Sequence, residues 1–308
     1  MANPARLRFH VCPVCWKPTP VHEPACVNCG QRSLRATAAF AQEQFTRRCL
    51  RAFFARATPV TYGIFLLNVW LYLMMMARVE ESWVTNLLHG VNAETLLAFG
   101  AKTNETLRLG EWFRLITPIF LHLSGLHLLS NSFALAIVGP QVERLYGSAR
   151  FLLIYLMAGS GGLAASVINH GLTNKQNEVT VGASGAIFGL FGVLAVFSIK
   201  YRKELPASFI NAFAIAILPA IGINLLVGFV VPFIDNSIHV GGLLAGVLLA
   251  FIIPYLVPGR ERLALTHLGL MVACVLLVVY CFQRAHTASP FADPVVSARL
   301  NGALELNQ

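Results

Sequence analysis

Charge is what this sequence has least of. Only 12% of its 308 residues are Asp, Glu, Lys or Arg, against about 25% in a typical soluble domain. Acidic residues are the scarcest, at 14. The chain is 56% hydrophobic, with a mean hydropathy of +0.65. That balance cannot cover an ordinary soluble surface of this size. It excludes a soluble enzyme, a disordered chain and a disulfide-stapled secreted domain. The first 58 residues also lack an early apolar h-region, so no secretory signal is expected. The net charge of +9 would suggest nucleic acid in a soluble protein. In a membrane protein, basic cytoplasmic loops account for it and no nucleic-acid partner is expected.

What is abundant is apolar sequence in runs long enough to cross a bilayer. The runs are 59–77, 115–140, 151–170, 182–199, 208–231, 236–257 and 264–282. Between the first two, 78–114 is too polar to span and too rich in Trp83, Trp112, Phe113 and leucines for a plain water loop. It reads as segments lying in the membrane interface. Seven spans put the two termini on opposite faces. With the N-terminus inside, sixteen Lys and Arg fall inside and seven outside. The positive-inside rule therefore orients the N-terminus to the cytosol and the C-terminus outside. The expected division is a cytosolic tail over 1–58, a core of six spans over 59–257, and a seventh helix plus short tail over 258–308.

The tail carries Cys12-Pro-Val-Cys15 and Cys26-Val-Asn-Cys29-Gly30, with ten residues between the pairs. Each CxxC turn aims two thiolates at one ion, and two turns complete a tetrahedral zinc site. A reducing cytosol favours metal ligation over disulfides. A zinc-ribbon-like module is expected over about 10–32. With all four positions filled by Cys12, Cys15, Cys26 and Cys29, the zinc is structural. Its surface is a candidate contact for a cytosolic protein partner.

Ionisable and polar residues inside spans are costly and point to function. In the second run, His127 and Asn131 are four apart and share a helix face. His122 lies nine before Asn131, where it could face the same cavity. Singly these would read as interhelical polar glue. The fourth run opens Gly182-Ala183-Ser184-Gly185-Ala186-Ile187-Phe188. It is not the Gly-x-Ser-x-Gly elbow of soluble hydrolases, because position 186 is Ala. The sixth run places His239 one turn in, at a depth matching Ser184, with Gly242 and Gly246 permitting close helix contact. A histidine beside a serine makes a nucleophile–base pair. Glu143 and Arg144, between Gly139 and Gly147, read as a structural element at the inner end of the second span.

Taken together, these residues resemble the rhomboid intramembrane serine proteases from about Gly110 to Val257. The motifs are Trp112/Arg114, His122, His127-xxx-Asn131, Gly139-xxx-Glu143-xxx-Gly147, Gly182-Ala183-Ser184-Gly185 and His239-xx-Gly242-xxx-Gly246. The resemblance implies an all-α polytopic membrane protein with a six-helix core. The seventh C-terminal transmembrane helix corresponds to rhomboids with an added helix, and the four-cysteine module lies outside the core. It further implies that Ser184 is the nucleophile and His239 the base, a dyad without an acid. The Ser184 N–H, His127 and Asn131 would form the oxyanion hole, with His122 and Gly182 supporting it. Phe188 occupies the position where many relatives carry a Tyr stacked on the histidine, so the stack is kept and the hydroxyl lost.

No cofactor is expected for catalysis. The expected partners are the lipid bilayer and single-pass membrane proteins, cut near the outer membrane boundary. A bacterial cytoplasmic membrane is the expected location. Two other readings compete. A rhomboid-like protein that binds membrane clients without cutting would be expected to lack the serine or the histidine, and both are here. A proton-relaying transporter would carry carboxylates in its spans and a two-half repeat. Here the spans hold no Asp or Glu apart from end-lying Glu143 and Asp235.

Overall fold

The structure is a computed structural model that describes most of residues 9–31, then 56–79, 90–200, 235–255 and 264–288, with single positions between 84 and 87 and between 219 and 228. The expected fifth span lies almost wholly outside the described residues. The chain divides into two compact units, Met1–Arg56 and Ala57–Gln308.

In the first unit, β1 (Phe9–Val11) pairs antiparallel with β2 (Pro18–Pro20). Each CxxC turn folds the same way. Trp16 N–H donates to Cys12 C=O at 2.9 Å, and Gly30 N–H donates to Cys26 C=O at 2.8 Å. The residue after each second cysteine has positive φ, 57° at Trp16 and 72° at Gly30. Each turn is closed from beyond, Cys12 N–H to Lys17 C=O and Cys26 N–H to Gln31 C=O. Two matching knuckles therefore face one another.

The second unit is helical. Its long elements are α1 (Pro59–Met76), α4 (Gly125–Tyr146), α5 (Ser148–Leu172), α6 (Ser184–Lys200), α7 (Asn236–Ile252) and α8 (Ala264–Thr287). Two short helices, α2 (Ala93–Ala98) and α3 (Asn104–Arg108), lie between α1 and α4. By length and composition, α1, α5 and α8 from Leu265 are long and apolar enough to cross a membrane. The apolar helices α6 and α7 have 17 residues each, about 26 Å at 1.5 Å per residue. That is less than the roughly 30 Å hydrocarbon layer. The loop before Ser184 must therefore be sheltered by protein at its depth.

Helix α6 is apolar all round and buried on every side, as such a helix must be. It packs on α5 and α7 through bare backbone. A Cβ at Gly242 would meet the Gly185 carbonyl, and one at Gly246 the Gly189 carbonyl. On α5, a Cβ at Gly162 would lie 2.7 Å from the Ile238 carbonyl oxygen. These three helices form the core, and α4 closes one side.

Glu143, in the last turn of α4, holds the start of α1. Its carboxylate accepts from the Val60 and Thr61 N–H groups at 3.1 and 2.8 Å, from the Thr61 hydroxyl at 2.7 Å and from the Ser148 hydroxyl at 2.6 Å. Helix N-termini leave N–H groups unsatisfied, and here a residue 82 positions away satisfies two of them. Gly147, at φ 78°, turns α4 into α5 within one residue.

The apolar run 115–140 is not one helix. Trp112–Leu115 and Thr117–Phe120 are single 3-10 turns, and regular helix begins at Gly125 behind the Ser124 cap. Pro118 lacks an N–H and restricts Thr117 before it. The freed backbone is used elsewhere. Pro118 C=O accepts from Gly182 N–H at 2.9 Å, and Leu123 C=O accepts from Val91 N–H at 2.7 Å. The break thus supports the loop that leads to Ser184.

The stretch between α2 and α4 is pinned by Arg114, which is fully buried. Its Nη1 donates to the Leu97 and Ala101 carbonyls at 2.8 and 2.6 Å, and its Nε meets Glu111. Residues 102–104 zip onto the loop before α6. Lys102 and Thr180 exchange backbone hydrogen bonds at 3.2 and 2.8 Å, and Asn104 N–H donates to Gln176 C=O.

Candidate active site

The loop 173–183 delivers Ser184 as the first residue of α6, half-buried. Its N–H belongs to the first turn, whose donors have no intrahelical acceptor. Two residues earlier, Gly182 has φ 130°, which side-chain-bearing residues avoid. A Cβ there would meet His127 Cε1 and Nε2, each at 2.9 Å, and would lie 3.8 Å from Ser184 Oγ. The His127 ring therefore rests against the bare Gly182 α-carbon, beside the Ser184 hydroxyl.

His127 sits in the first turn of α4, where its N–H donates to the Ser124 cap at 3.3 Å. His122, in the extended stretch before α4, is fully buried and meets the His127 ring edge-on, with centroids 5.2 Å apart and planes at 68°. Asn131, one turn beyond His127, is buried, and its Nδ2 has no acceptor among the described residues. An amide donor left unpaired at such burial is costly. It suits a site where a negative oxygen will arrive.

His239 lies in the first turn of α7, buried, with its ring stacked flat on Phe188 at a centroid distance of 4.3 Å and 10° between planes. Phe188 is four residues after Ser184 and so occupies the same face of α6. Between them, Gly185 packs on Ile238, the residue before His239. Ser184, Phe188 and His239 thus flank the Gly185–Ile238 contact between α6 and α7. His239 Nδ1 has no hydrogen-bond partner among the described residues. The one acid near it on its helix, Asp235, is turned to Ser237 and His170. The arrangement offers a hydroxyl, an imidazole with no carboxylate hydrogen-bonded to Nδ1 among the described residues, and N–H donors on His127 and Asn131 of α4.

All seven residues singled out for this site, Ser184, His239, His127, Asn131, His122, Phe188 and Gly182, lie in one neighbourhood. Sequence reasoning did not single out His170, Ser166 or Lys102, and gave Asp235 only as an end-lying acid. The available signal was a histidine at the end of an apolar run, which carries the same cost argument as His127.

In the N-terminal unit, the sulfurs of Cys12, Cys15, Cys26 and Cys29 all lie within 4.8 Å of one another. Cys12 and Cys29 Sγ are 3.7 Å apart, and Cys15 and Cys26 Sγ 3.5 Å. Tetrahedral zinc with Zn–S near 2.3 Å demands about 3.8 Å between sulfurs. The Thr19 hydroxyl, donating at 3.2 Å, pulls the Cys26 thiol down to about 5. The Gln31 N–H favours the Cys29 thiolate, but burial and three neighbouring sulfurs push that thiol up to about 12. Four sulfurs this close cannot all ionise unaided, and a divalent cation removes the conflict. The residues fit a structural zinc ion.

A family model described as Rhomboid domain matches residues 109–256. The chain is 48% identical over 155 residues to Rhomboid protease GluP of Bacillus subtilis (strain 168), covering 50% of this chain and 29% of that protein. It is 37% identical over 201 residues to Putative rhomboid protease YdcA of the same organism, covering 65% of this chain and 90% of that protein. It is 38% identical over 173 residues to RHOMBOID-like protein 5 of Arabidopsis thaliana, covering 54% and 52%. The chain therefore spans under a third of GluP and nearly all of YdcA.

Proposed function

This chain belongs to the rhomboid family, and on that footing we propose that it is an intramembrane serine endopeptidase working through a Ser184–His239 dyad. The observation that carries the reading is the gathering of Ser184, His239 on Phe188, and His127 on Gly182 at one α6–α7–α4 junction.

In this reading His239 takes the Ser184 Oγ proton as the oxygen attacks the scissile carbonyl. The negative oxygen of the tetrahedral intermediate is held by the Ser184 N–H, His127 and Asn131. Neutral donors do this in a low-dielectric wall without a permanent buried charge. His239 then protonates the leaving amine, and water hydrolyses the acyl-enzyme by the reverse sequence of proton transfers. Flat stacking on Phe188 fixes the imidazole plane, and His122 braces the His127 ring.

The substrates are single-pass membrane proteins cut near the outer boundary. Their helix must unwind locally to expose a carbonyl, so Gly- and Ala-containing segments fit better than Leu-rich ones. The tail faces the cytosol and the C-terminus the outside of a bacterial cytoplasmic membrane. Zn2+ in the four-cysteine module holds its two knuckles together, and the module's surface serves a cytosolic protein partner.

The test uses purified protein in liposomes with a single-pass substrate bearing a Gly/Ala-rich outer segment. Wild type should yield two fragments by mass spectrometry, and Ser184→Ala and His239→Ala none. A fluorophosphonate probe should label wild type and not Ser184→Ala. Equal cleavage by Ser184→Ala would discard the nucleophile. Folded wild type that neither cleaves nor labels would favour a client-binding, inactive protein.

A further inference from the structure

Outside the dyad, one buried polar cluster joins four separate segments. Asp235 is the N-cap of α7, and its two oxygens do different work. Oδ1 accepts from the Ser237 N–H at 2.9 Å and from the Ser237 hydroxyl, starting the helix. Oδ2 lies 3.1 Å from His170 Nε2, in the last turn of α5. His170 is buried and also lies 4.0 Å from Glu178, in the loop that leads to Ser184. One turn back on α5, Ser166 accepts from Lys102 Nζ at 3.1 Å, and both residues are fully buried. Burial pushes the Lys102 ammonium down to about 8, while Asp235 and Glu178 pull it the other way.

These residues lie on one stripe of α5. Gly162, Ser166 and His170 are spaced by four and share a face. Gly162 meets the Ile238 carbonyl, immediately before His239, and His170 meets Asp235, four residues before it. Helix α5 thus holds the first turn of α7 at two points, one through bare backbone and one through the carboxylate. The same histidine reaches the loop that carries the nucleophile.

We infer that His170 and Asp235 form a positioning pair that sets the first turn of α7 against α5, and so fixes where His239 stands relative to Ser184. Neither residue touches the reacting atoms. Displacements of about 1 Å can lower rates by up to a hundredfold, so the pair acts on the chemical step and not on how tightly a reagent binds. The inference rests on the dyad reading.

The test measures fluorophosphonate inactivation of the full-length protein, separating the limiting rate from the half-saturating concentration. Four variants are compared with wild type: His170→Leu, His170→Gln, Asp235→Ser and the double variant His170→Leu/Asp235→Ser. Serine keeps a good N-cap but cannot reach His170, so Asp235→Ser separates the bridge from the helix cap. The expected result is a limiting rate roughly tenfold lower for His170→Leu and for Asp235→Ser, with half-saturation unchanged. The double variant should be no slower than the slower single, because the two substitutions break one contact. His170→Gln, whose amide N–H can still reach the carboxylate, should recover most of the rate. Should His170→Leu fail to fold, Asp235→Ser and His170→Gln carry the comparison. Wild-type rates for Asp235→Ser, or losses that multiply in the double variant, would overturn the pair while leaving the dyad intact. Failure of wild type itself to label at Ser184 would overturn the dyad reading and the pair with it.

Discussion

At Gly182 the backbone turns at φ 130° and the His127 ring occupies the space a side chain would need. Gly182→Ala brings both penalties at once, a positive-φ strain of about 1–3 kcal/mol and a collision with an imidazole that must stay put. The expected outcome is a fluorophosphonate labelling rate down roughly tenfold or more, with helix content by circular dichroism unchanged. Phe188 offers a gentler probe. Its stack on His239 is of the kind worth about 0.5–1.5 kcal/mol. Phe188→Ala should therefore slow labelling by roughly two- to tenfold, and Phe188→Tyr, which keeps the ring, should label within a few-fold of wild type. A slow Tyr variant and a normal Ala variant would show that the stack does not orient the imidazole. Of the candidate site, His127 and Asn131 were legible as polar residues four apart in one apolar run, while Ser184 and His239, on different helices, were joined only through matched depth and the family resemblance. His170 and Lys102 were not singled out. Their partners lie 65 and 64 positions away, and spacing along one helix carries no information about contacts across three.

Between elements, contact is made by backbone where glycine allows it and by carboxylate where it does not. Gly246 on α7 faces the Gly189 carbonyl on α6. Gly246→Val would force the two helices apart, at a cost of about 1–3 kcal/mol for overpacking. The expected outcome is a lower thermal midpoint in detergent together with lost labelling, since the same helix pair carries Ser184 and His239. Glu143→Ala should behave differently. It strands two N–H groups and two hydroxyls, where hydrogen bonds to a charged group are worth about 1.5–3 kcal/mol each. Its thermal midpoint should fall, while the fraction still folded should label at the wild-type rate, because Glu143 lies at the far end of α4 from His127. The run 115–140 stops six residues short of the end of α4 at Tyr146, whereas the end of α6 was legible, because the run 182–199 stops at Lys200. The start of α4 was not. Residues 115–124 are as apolar as a span, and only the tertiary use of the Pro118 and Leu123 carbonyls makes irregular backbone affordable there.

The molecule as a whole is two units whose stability has different sources. The described residues of 9–31 form two short strands with few buried side chains, so in the proposed reading a zinc ion would supply much of this unit's stability. Treatment with a strong zinc chelator should open this unit, exposing its cysteines to a thiol reagent, while Ser184 labelling continues at the untreated rate. Coupled loss of both would show that the module governs the membrane unit. In that membrane unit the order of synthesis has a consequence of its own. Ser184 leaves the ribosome 55 residues before His239, a delay of roughly 3–11 seconds at 5–20 residues per second. During that interval the serine lacks His239, its proposed base, and α6 lacks the glycine face of α7 that it packs against. In the proposed reading a newborn chain therefore passes its neighbours in the membrane as an unarmed hydroxyl, and the hydrolytic risk to those neighbours would begin only once α7 has been made.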